Sequence, residues 1–200
     1  MSAVRVAIAG AGGRMGRALL EAATSTPGVT LSAALDVAGS EWAGRDAGDL
    51  ASGARGVAIE TDPAHALERS DVLVDFTRPE GTLAHVRACR AAGRPIVIGT
   101  TGFSAAGLDE IRAAARSIAI VMAPNMSIGV NVTAKLVEMA ARILGPEYDA
   151  EVFEIHHRMK VDAPSGTALM LGEVAAKARG ATLKDAGEFA RHGETGERKP

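Results

Sequence analysis

Residues 4–16 read VRVAIAGAGGRMG, and this stretch decides the fold. Its first six residues form a short apolar run, typical of a buried parallel strand, and the glycines follow immediately. Gly10, Gly13 and Gly16 permit positive φ angles and a close approach of the backbone to a ligand. A glycine-rich turn that opens a helix binds a pyrophosphate at the helix N-terminus. The stretch therefore predicts a dinucleotide cradle.

The glycine spacing departs from the strict G-x-G-x-x-G pattern, because Met15 takes the last glycine position and Gly16 follows it. A tight strand-to-helix turn without a ligand is the alternative. The second predicted strand favours the cradle, since Asp36 at its end can accept hydrogen bonds from the adenosine ribose. A carboxylate there opposes a 2′-phosphate, which favours NADH. Arg14 can offer a cation to that phosphate, so NADPH is not excluded.

The first 125 residues alternate short apolar strands with helical patterns. Strands are predicted at 4–9, 29–35, 72–76, 95–98 and 118–122, and helices at 14–24, 79–92 and 105–115. This order predicts a doubly wound, Rossmann-type α/β fold with a parallel sheet. Ligands of such sheets bind beyond the carboxyl ends of the strands. The polar segments 77–79, 99–102 and 123–126 follow three strands and are candidates for binding the nicotinamide ribose and carboxamide, although each alone can be an ordinary turn.

A second unit begins after this sheet. We predict a helix at 131–144 ended by Gly145 and Pro146, a strand at 151–157, a turn at 163–166 and a helix at 167–179. The predicted domains are a dinucleotide-binding domain, 1–126, and an α+β substrate-binding and oligomerisation domain, 127–200.

A basic cluster lies within the second unit. His156, His157, Arg158 and Lys160 fall within five residues, which indicates an anion pocket, with a solvated strand end as the alternative. Neighbouring residues of a strand face opposite sides, so the two histidines are expected to have different roles. Farther along, Ser165 can cap the following helix, whose first N–H groups form a second anion site. Lys160, with a pKa lowered by the nearby cations, is the candidate general acid.

The segments 154–168, EIHHRMKVDAPSGTA, and 10–16, GAGGRMG, closely resemble the 4-hydroxy-tetrahydrodipicolinate reductase (dihydrodipicolinate reductase) family. Segments 99–102, GTTG, and 123–131, APNMSIGVN, are similar to that family as well, so the resemblance covers essentially the whole chain. It implies reduction of a cyclic imine dicarboxylate by NADH or NADPH in lysine and diaminopimelate synthesis. The family often has an arginine after the acidic ribose-binding residue, where this chain has Val37, which favours NADH.

The resemblance also implies roles for individual residues. It makes His156 and Lys160 the catalytic residues that handle the proton, and it assigns the substrate carboxylate to His157, Gly166 and Thr167. The cofactor contacts that it implies are Gly10, Ala11, Gly12, Gly13, Arg14, Met15, Asp36, Gly99, Thr100, Thr101, Ala123, Pro124, Asn125 and Met126. Family members are homotetramers built through the substrate domain. The tail at 191–199 resembles the middle of that domain, so we expect the domain to be C-terminally incomplete at Pro200.

Composition excludes several other classes. A formal charge of −2 and 3% aromatic residues argue against a nucleic-acid partner or a charged membrane surface. Cys89 is the single cysteine, so no intrachain disulfide and no cysteine-based metal site is expected, and a reducing cytoplasm is the expected location. Another nicotinamide-dependent dehydrogenase of an amino acid or semialdehyde, and a non-catalytic NAD sensor, stay as alternatives. A semialdehyde dehydrogenase that forms a thioester needs a reactive cysteine. We expect Cys89 to be buried, which argues against this alternative.

Overall fold

The computed structural model describes residues 2–158, 160, 163–190 and 192–196. The chain divides into two compact units between Ala123 and Pro124. None of the helices in these described ranges is long and apolar enough to cross a membrane.

The first unit is built on a six-stranded sheet in which every neighbouring pair is parallel. Its strands stand in the order β3-β2-β1-β4-β5-β6, so the chain reverses its winding direction between β1 and β4. The bounds are β1 Val4–Ala9, β2 Val29–Leu35, β3 Ile59–Glu60, β4 Val72–Asp75, β5 Ile96–Ile98 and β6 Ile120–Met122. The doubly wound sheet predicted from the sequence is confirmed.

Side chains of β1 alternate between two apolar cores, as the period of a strand requires. Ala7 and Ala9 belong to one core, and Val6 and Ile8 belong to the other. The first core includes residues of the helices α2 Pro63–Glu68, α3 Pro79–Ala92 and α4 Ala105–Ala114, and the second includes residues of α1 Arg14–Ser25 and two short 3₁₀ turns. The sheet is therefore covered on both faces, and its polar groups concentrate where strands end.

The predicted helices at 14–24, 79–92 and 105–115 match α1, α3 and α4 to within one residue. The predicted strands also form, with β6 beginning two residues later than expected. The sequence reading missed β3 and α2. Asp62 caps α2 by accepting a hydrogen bond from Ala64 N–H, and Pro63 is its first residue, so a local signal was present.

The second unit contains three helices in its described part, α5 Ile128–Leu144, α6 Gly166–Ala178 and α7 Leu183–Ala186, and a 3₁₀ turn at Gly145–Glu147. α5 packs against α6, and α6 packs against α7. The helix predicted at 131–144 begins three residues earlier, because Ser127 caps it. The strand predicted at 151–157 was wrong. These seven residues are all described, but no described residue of this unit forms a strand that could pair with them.

Candidate functional site

The glycine loop joins β1 to α1. Gly10 has a φ of +70°, and Gly13 precedes the helix without a side-chain cap. A Cβ on Gly16 would lie 1.9 Å from the carbonyl oxygen of Gly10, so only glycine allows α1 to pack this closely on the loop. The first N–H groups of α1 have no hydrogen-bond acceptor within the helix. Two of the residues in this first turn, Arg14 and Met15, are exposed to solvent.

Asp36 follows β2, as expected, and its carboxylate meets the glycine loop. It accepts hydrogen bonds from Gly12 N–H at 3.1 Å, Val37 N–H at 2.8 Å and the Ser40 hydroxyl at 3.0 Å. Ala11 is buried, and its N–H donates to the carbonyl of Leu35 at 2.9 Å. The ends of β1 and β2 are thus tied together, which brings the predicted ribose acceptor to the predicted pyrophosphate loop.

Three residues that sequence reasoning missed lie beside this loop. Trp42 stands so close to Gly12 that a Cβ on residue 12 would lie 2.4 Å from its ring. The guanidinium groups of Arg17 and Arg45 lie over the Trp42 ring, at 5.1 and 5.0 Å from its centroid. Arg17 also donates to the carbonyl of Gly12 at 3.2 Å. The guanidinium groups of Arg17 and Arg45 therefore lie close to Gly12, the residue whose N–H binds the Asp36 carboxylate.

The ends of β4 and β5 meet at a buried carboxylate, Asp75, which sequence reasoning also missed. Asp75 is the last residue of β4 and is fully buried. It accepts hydrogen bonds from Thr77 of its own loop, from Thr82 and His85 of α3, and its backbone carbonyl accepts from Gly99 N–H. The cluster connects the two polar segments that the sequence placed at this edge of the sheet.

The remaining predicted cofactor residues fall into different environments. Thr100 is buried, so its hydroxyl belongs to the Asp75 cluster and only its backbone can face a ligand, whereas Thr101 is exposed. Ala123 closes the first unit, and its N–H donates to Ile98 at 3.2 Å. Pro124, Asn125 and Met126 belong to the second unit.

The first unit fits a dinucleotide. A side chain at Gly12 would collide with Trp42 and Asp36, and one at Gly16 with the Gly10 carbonyl, so this loop is necessarily bare backbone. The first turn of α1 has no side-chain cap, and Asp36 stands at the adjoining strand end. A backbone without side chains, N–H groups for the pyrophosphate and a ribose acceptor are the three features that such a cofactor needs.

In the second unit, Glu154 connects the histidine segment to the start of α6. Its carboxylate accepts hydrogen bonds from Ser165 N–H at 2.8 Å, from the Ser165 hydroxyl, and at 3.0 Å from His156 Nε2. The Ser165 hydroxyl in turn accepts from Ala168 N–H at 3.0 Å, which confirms the predicted helix cap. The hydrogen bonds from Ser165, assisted by His156, lower the pKa of Glu154 to about 2.

The other predicted substrate residues lie near the same segment. Lys160 N–H donates to the carbonyl of His157 at 3.1 Å, so a turn brings these two residues together. Gly166 begins α6, and a Cβ there would meet no atom within 4 Å. Thr167 accepts a hydrogen bond from the Asn125 amide at 3.3 Å. Met159, Val161 and Asp162 of the quoted motif lie outside the described residues.

Cys89 is fully buried in α3, as expected. Burial raises the pKa of its thiol to about 12, with a smaller contribution from the Asp75 charge. A thiol of this kind is protonated and enclosed, so it is unsuited to forming a thioester. Among the residues that the structure describes, no group of three or more His, Cys, Asp or Glu side chains is placed to hold a metal ion.

Comparisons with known proteins cover both units. Residues 4–126 match the family profile described as "Dihydrodipicolinate reductase, N-terminus", and residues 129–199 match "Dihydrodipicolinate reductase, C-terminus". The 4-hydroxy-tetrahydrodipicolinate reductase of Nitrosospira multiformis is 55% identical over 199 residues, covering 100% of this chain and 74% of that protein. The enzyme of the same name from Bordetella pertussis is 58% identical over 196 residues, covering 98% and 72%.

A solved structure is similar over the same extent. It is a dipicolinate-bound dihydrodipicolinate reductase from Paenisporosarcina sp. TG-14, with a TM-score of 0.70 and 29% identity. The alignment covers 98% of this chain and 71% of that one.

Proposed function

This chain belongs to the dihydrodipicolinate reductase family, and we propose from this membership which residues bind the cofactor, bind the substrate and move the proton. The chain catalyses the reduction of 4-hydroxy-tetrahydrodipicolinate by NAD(P)H in lysine biosynthesis. The observation that carries the residue roles is the hydrogen-bonded connection from His156 through Glu154 to the capped start of α6.

Most of the cofactor contacts in this proposal come from the first unit. The glycine loop, Gly10 to Met15, receives the pyrophosphate on the N–H groups at the start of α1, and Asp36 accepts the adenosine ribose hydroxyls. After β5, the cofactor contacts come from Gly99, the backbone of Thr100, and Thr101. After β6, they come from Ala123, Pro124, Asn125 and Met126. When bound, the nicotinamide cofactor supplies the hydride.

NADH is the preferred cofactor in this proposal. The Asp36 carboxylate repels a 2′-phosphate, and Val37 beside it has no charge to offset that repulsion. Arg17 and Arg45, both over the Trp42 ring, supply cations close to Asp36 and allow NADPH as the second cofactor. Their side chains are solvent-exposed, so their attraction to a phosphate is screened by salt.

The second unit binds the dicarboxylate. His157 provides a ring N–H donor for a substrate carboxylate, and the N–H groups of Gly166 and Thr167 provide donors at the positive end of the α6 dipole. The Ser165 hydroxyl already accepts from Ala168 N–H, which fixes the first turn of α6. The open space at Gly166 supports a close approach of the ligand to that backbone.

4-Hydroxy-tetrahydrodipicolinate loses one water to give the dihydrodipicolinate imine, and the reduction then adds one hydride and one proton across a double bond of that ring to give tetrahydrodipicolinate. We assign the proton to Lys160 or His156, which lie four positions apart in the same segment. Glu154 accepts a hydrogen bond from Nε2 of His156 when that nitrogen carries its proton, so Glu154 orients the ring. The cation of Lys160 also offsets the negative charge of the substrate.

The test is a kinetic comparison of Lys160→Ala with the matched variant Lys177→Ala, which removes an exposed lysine from α6 of the same unit. Oxidation of NADH and of NADPH is followed with enzymatically generated substrate. We expect Lys160→Ala to reduce turnover by about 10²- to 10⁴-fold, because positioned proton donors contribute that much, and to leave NADH affinity within about threefold. Lys177→Ala should have wild-type kinetics.

Unchanged turnover in Lys160→Ala would remove this lysine from the proton transfer. A wild-type protein that oxidises neither cofactor with this substrate would contradict the residue roles altogether.

We also propose that the chain acts as a cytoplasmic homotetramer assembled through the second unit. Support comes from the exposed apolar face of α5, whose residues recur at helical spacing: Ile128, Val132, Leu136, Met139 and Ile143. Light scattering, which reports the mass of the particle in solution, tests the assembly.

A further inference from the structure

Asp75 is a fully buried carboxylate to which the proposed function gives no role. Placing a charge inside a protein is costly, and an apolar residue of similar size avoids that cost. A charge kept in such a place is useful when it organises several donors at once. The position of Asp75, at the carboxyl end of β4 next to the winding reversal, is where ligands of these sheets bind.

Four side chains surround the Asp75 carboxylate. One oxygen accepts from Thr77 N–H at 2.8 Å and from the hydroxyls of Thr77 at 2.7 Å and Thr82 at 3.0 Å, with Thr100 at 3.4 Å. The other oxygen is 2.6 Å from Nδ1 of His85. Burial by itself raises the pKa of Asp75, but the hydrogen bonds from His85 and Thr77 and the His85 charge outweigh it, and the pKa lies below its usual range.

The cluster fixes two loops that follow different strands. Thr77 lies in the loop after β4, and Thr100 lies in the loop after β5, with its hydroxyl oxygen 2.8 Å from that of Thr82 on α3. The carbonyl of Asp75 also holds Gly99 N–H at 2.8 Å. The Asp75 carboxylate thus contacts the loop after β4 directly, through Thr77, and the loop after β5 through the hydroxyls of Thr82 and Thr100.

The β1–β2 side of the reversal carries the glycine loop and Asp36, which are the proposed contacts of the adenosine and the pyrophosphate. The loops held by Asp75 lie on the other side, so they face the half of the cofactor that carries nicotinamide. Resting on the proposed function, we propose that Asp75 and His85 are positioning residues that hold Thr77 and Thr100 in the conformation that binds the nicotinamide riboside.

The test measures the binding of two ligands by calorimetry, without substrate or turnover. NADH carries both halves of the cofactor, whereas ADP carries the adenosine and the diphosphate but lacks the nicotinamide riboside. In Asp75→Asn, which keeps the shape but removes the charge and one acceptor oxygen, we expect NADH to bind about 10- to 100-fold more weakly, as expected for lost hydrogen bonds to a charged group. ADP affinity should change by less than about threefold.

Two further variants keep the test decisive if Asp75→Asn does not fold. His85→Asn retains an N–H donor for the carboxylate, and His85→Leu removes it. We expect the first to bind NADH within about threefold of wild type, and the second to lose about tenfold in NADH affinity alone. Ser70→Ala is the matched control, because Ser70 is also fully buried and hydrogen-bonded but precedes β4, at the amino end of the strand.

Several outcomes overturn the inference. If Asp75→Asn lowered the affinity for NADH and for ADP equally, Asp75 would have a general structural role. Unchanged NADH binding in Asp75→Asn or His85→Leu, or the same NADH-selective loss in Ser70→Ala, would also refute it. A wild-type protein that binds neither ligand would instead refute the proposed cofactor site, and this inference with it.

Discussion

The two units differ in how completely they bury their own apolar residues. The sheet unit encloses Leu73, Ile96 and Ile98 almost completely between its layers. In the described part of the helical unit, by contrast, Ala141 and Ser165 are the only buried residues, and large apolar side chains of α5 face solvent. The comparison teaches that the glycine loop and Asp36 stand on a unit with a closed apolar core, whereas the described part of the helical unit depends more on hydrogen bonds such as those of Glu154.

The largest expected effect comes from removing apolar volume in each unit. Leu73→Ala empties space in a closed core and should lower the free energy of unfolding by about 2–5 kcal/mol. Leu136, which is 59% exposed on α5, should cost less than about 0.5 kcal/mol when changed to Ala in monomeric protein. Denaturant unfolding followed by the fluorescence of Trp42 and the signal of Tyr148 reports on each unit separately, since each is the single residue of its type.

Both variants are measured at a protein concentration where light scattering reports a monomer. A loss of more than about 2 kcal/mol in Leu136→Ala under these conditions would contradict the exposure of the α5 face. Both signals shifting together in Leu73→Ala would mean that the two units unfold as one.

The next effect concerns one glycine in the first turn of a helix in each unit. A Cβ on Gly16 would lie 1.9 Å from a backbone oxygen, and backbone cannot move aside as a flexible side chain can. Gly16→Ala should therefore destabilise the first unit by about 1–3 kcal/mol and weaken NADH binding. A Cβ on Gly129 meets only the Ser127 hydroxyl at 3.8 Å, so Gly129→Ala should be neutral or stabilise α5 by up to about 1 kcal/mol.

Thermal unfolding read by the Trp42 and Tyr148 signals separates these two outcomes. If Gly16→Ala were as stable as wild type and bound NADH normally, the close packing of α1 on the glycine loop would not be required.

The same difference between the units explains what the sequence could predict. Strands of the first unit bury both faces within their own layers, so the apolar runs at 4–9 and 29–35 were sufficient to place β1 and β2. The run at 151–157 alternates as a strand should, but Phe153 and Ile155 are more than 80% exposed, and no described neighbour pairs with it. An alternating pattern shows only that a segment could place its apolar side chains on one face as a strand. To form a strand, its backbone also needs a neighbouring strand for its hydrogen bonds.

The candidate site shows a similar limit. Gly10, Gly13, Gly16 and Asp36 follow a local pattern of turn and strand end, and the structure has them where that pattern predicts, after β1 and after β2. Asp75 and Trp42, by contrast, have neighbours that are distant in sequence: Asp75 contacts Thr100, and Trp42 contacts Arg17. No short-range pattern marks such contacts, because they arise from the order of the strands.

The smallest expected effect is the pH dependence that Glu154 contributes to the stability of the second unit. Glu154 has a pKa of about 2 in the folded protein against an ordinary value of 4.5, so its folded form holds the proton less tightly than the unfolded chain does. Its stabilisation is therefore present above about pH 4.5 and is lost as the pH falls towards about 2. Glu154→Gln should lower the unfolding midpoint reported by Tyr148 near neutral pH and make that midpoint less sensitive to acid.

The midpoint reported by Trp42 should respond to acid equally in wild type and in Glu154→Gln. Glu194→Gln, which changes an exposed glutamate of the second unit, should behave as wild type. An undiminished acid response of the Tyr148 signal in Glu154→Gln would mean that the bond from Glu154 to the start of α6 does not hold the second unit together.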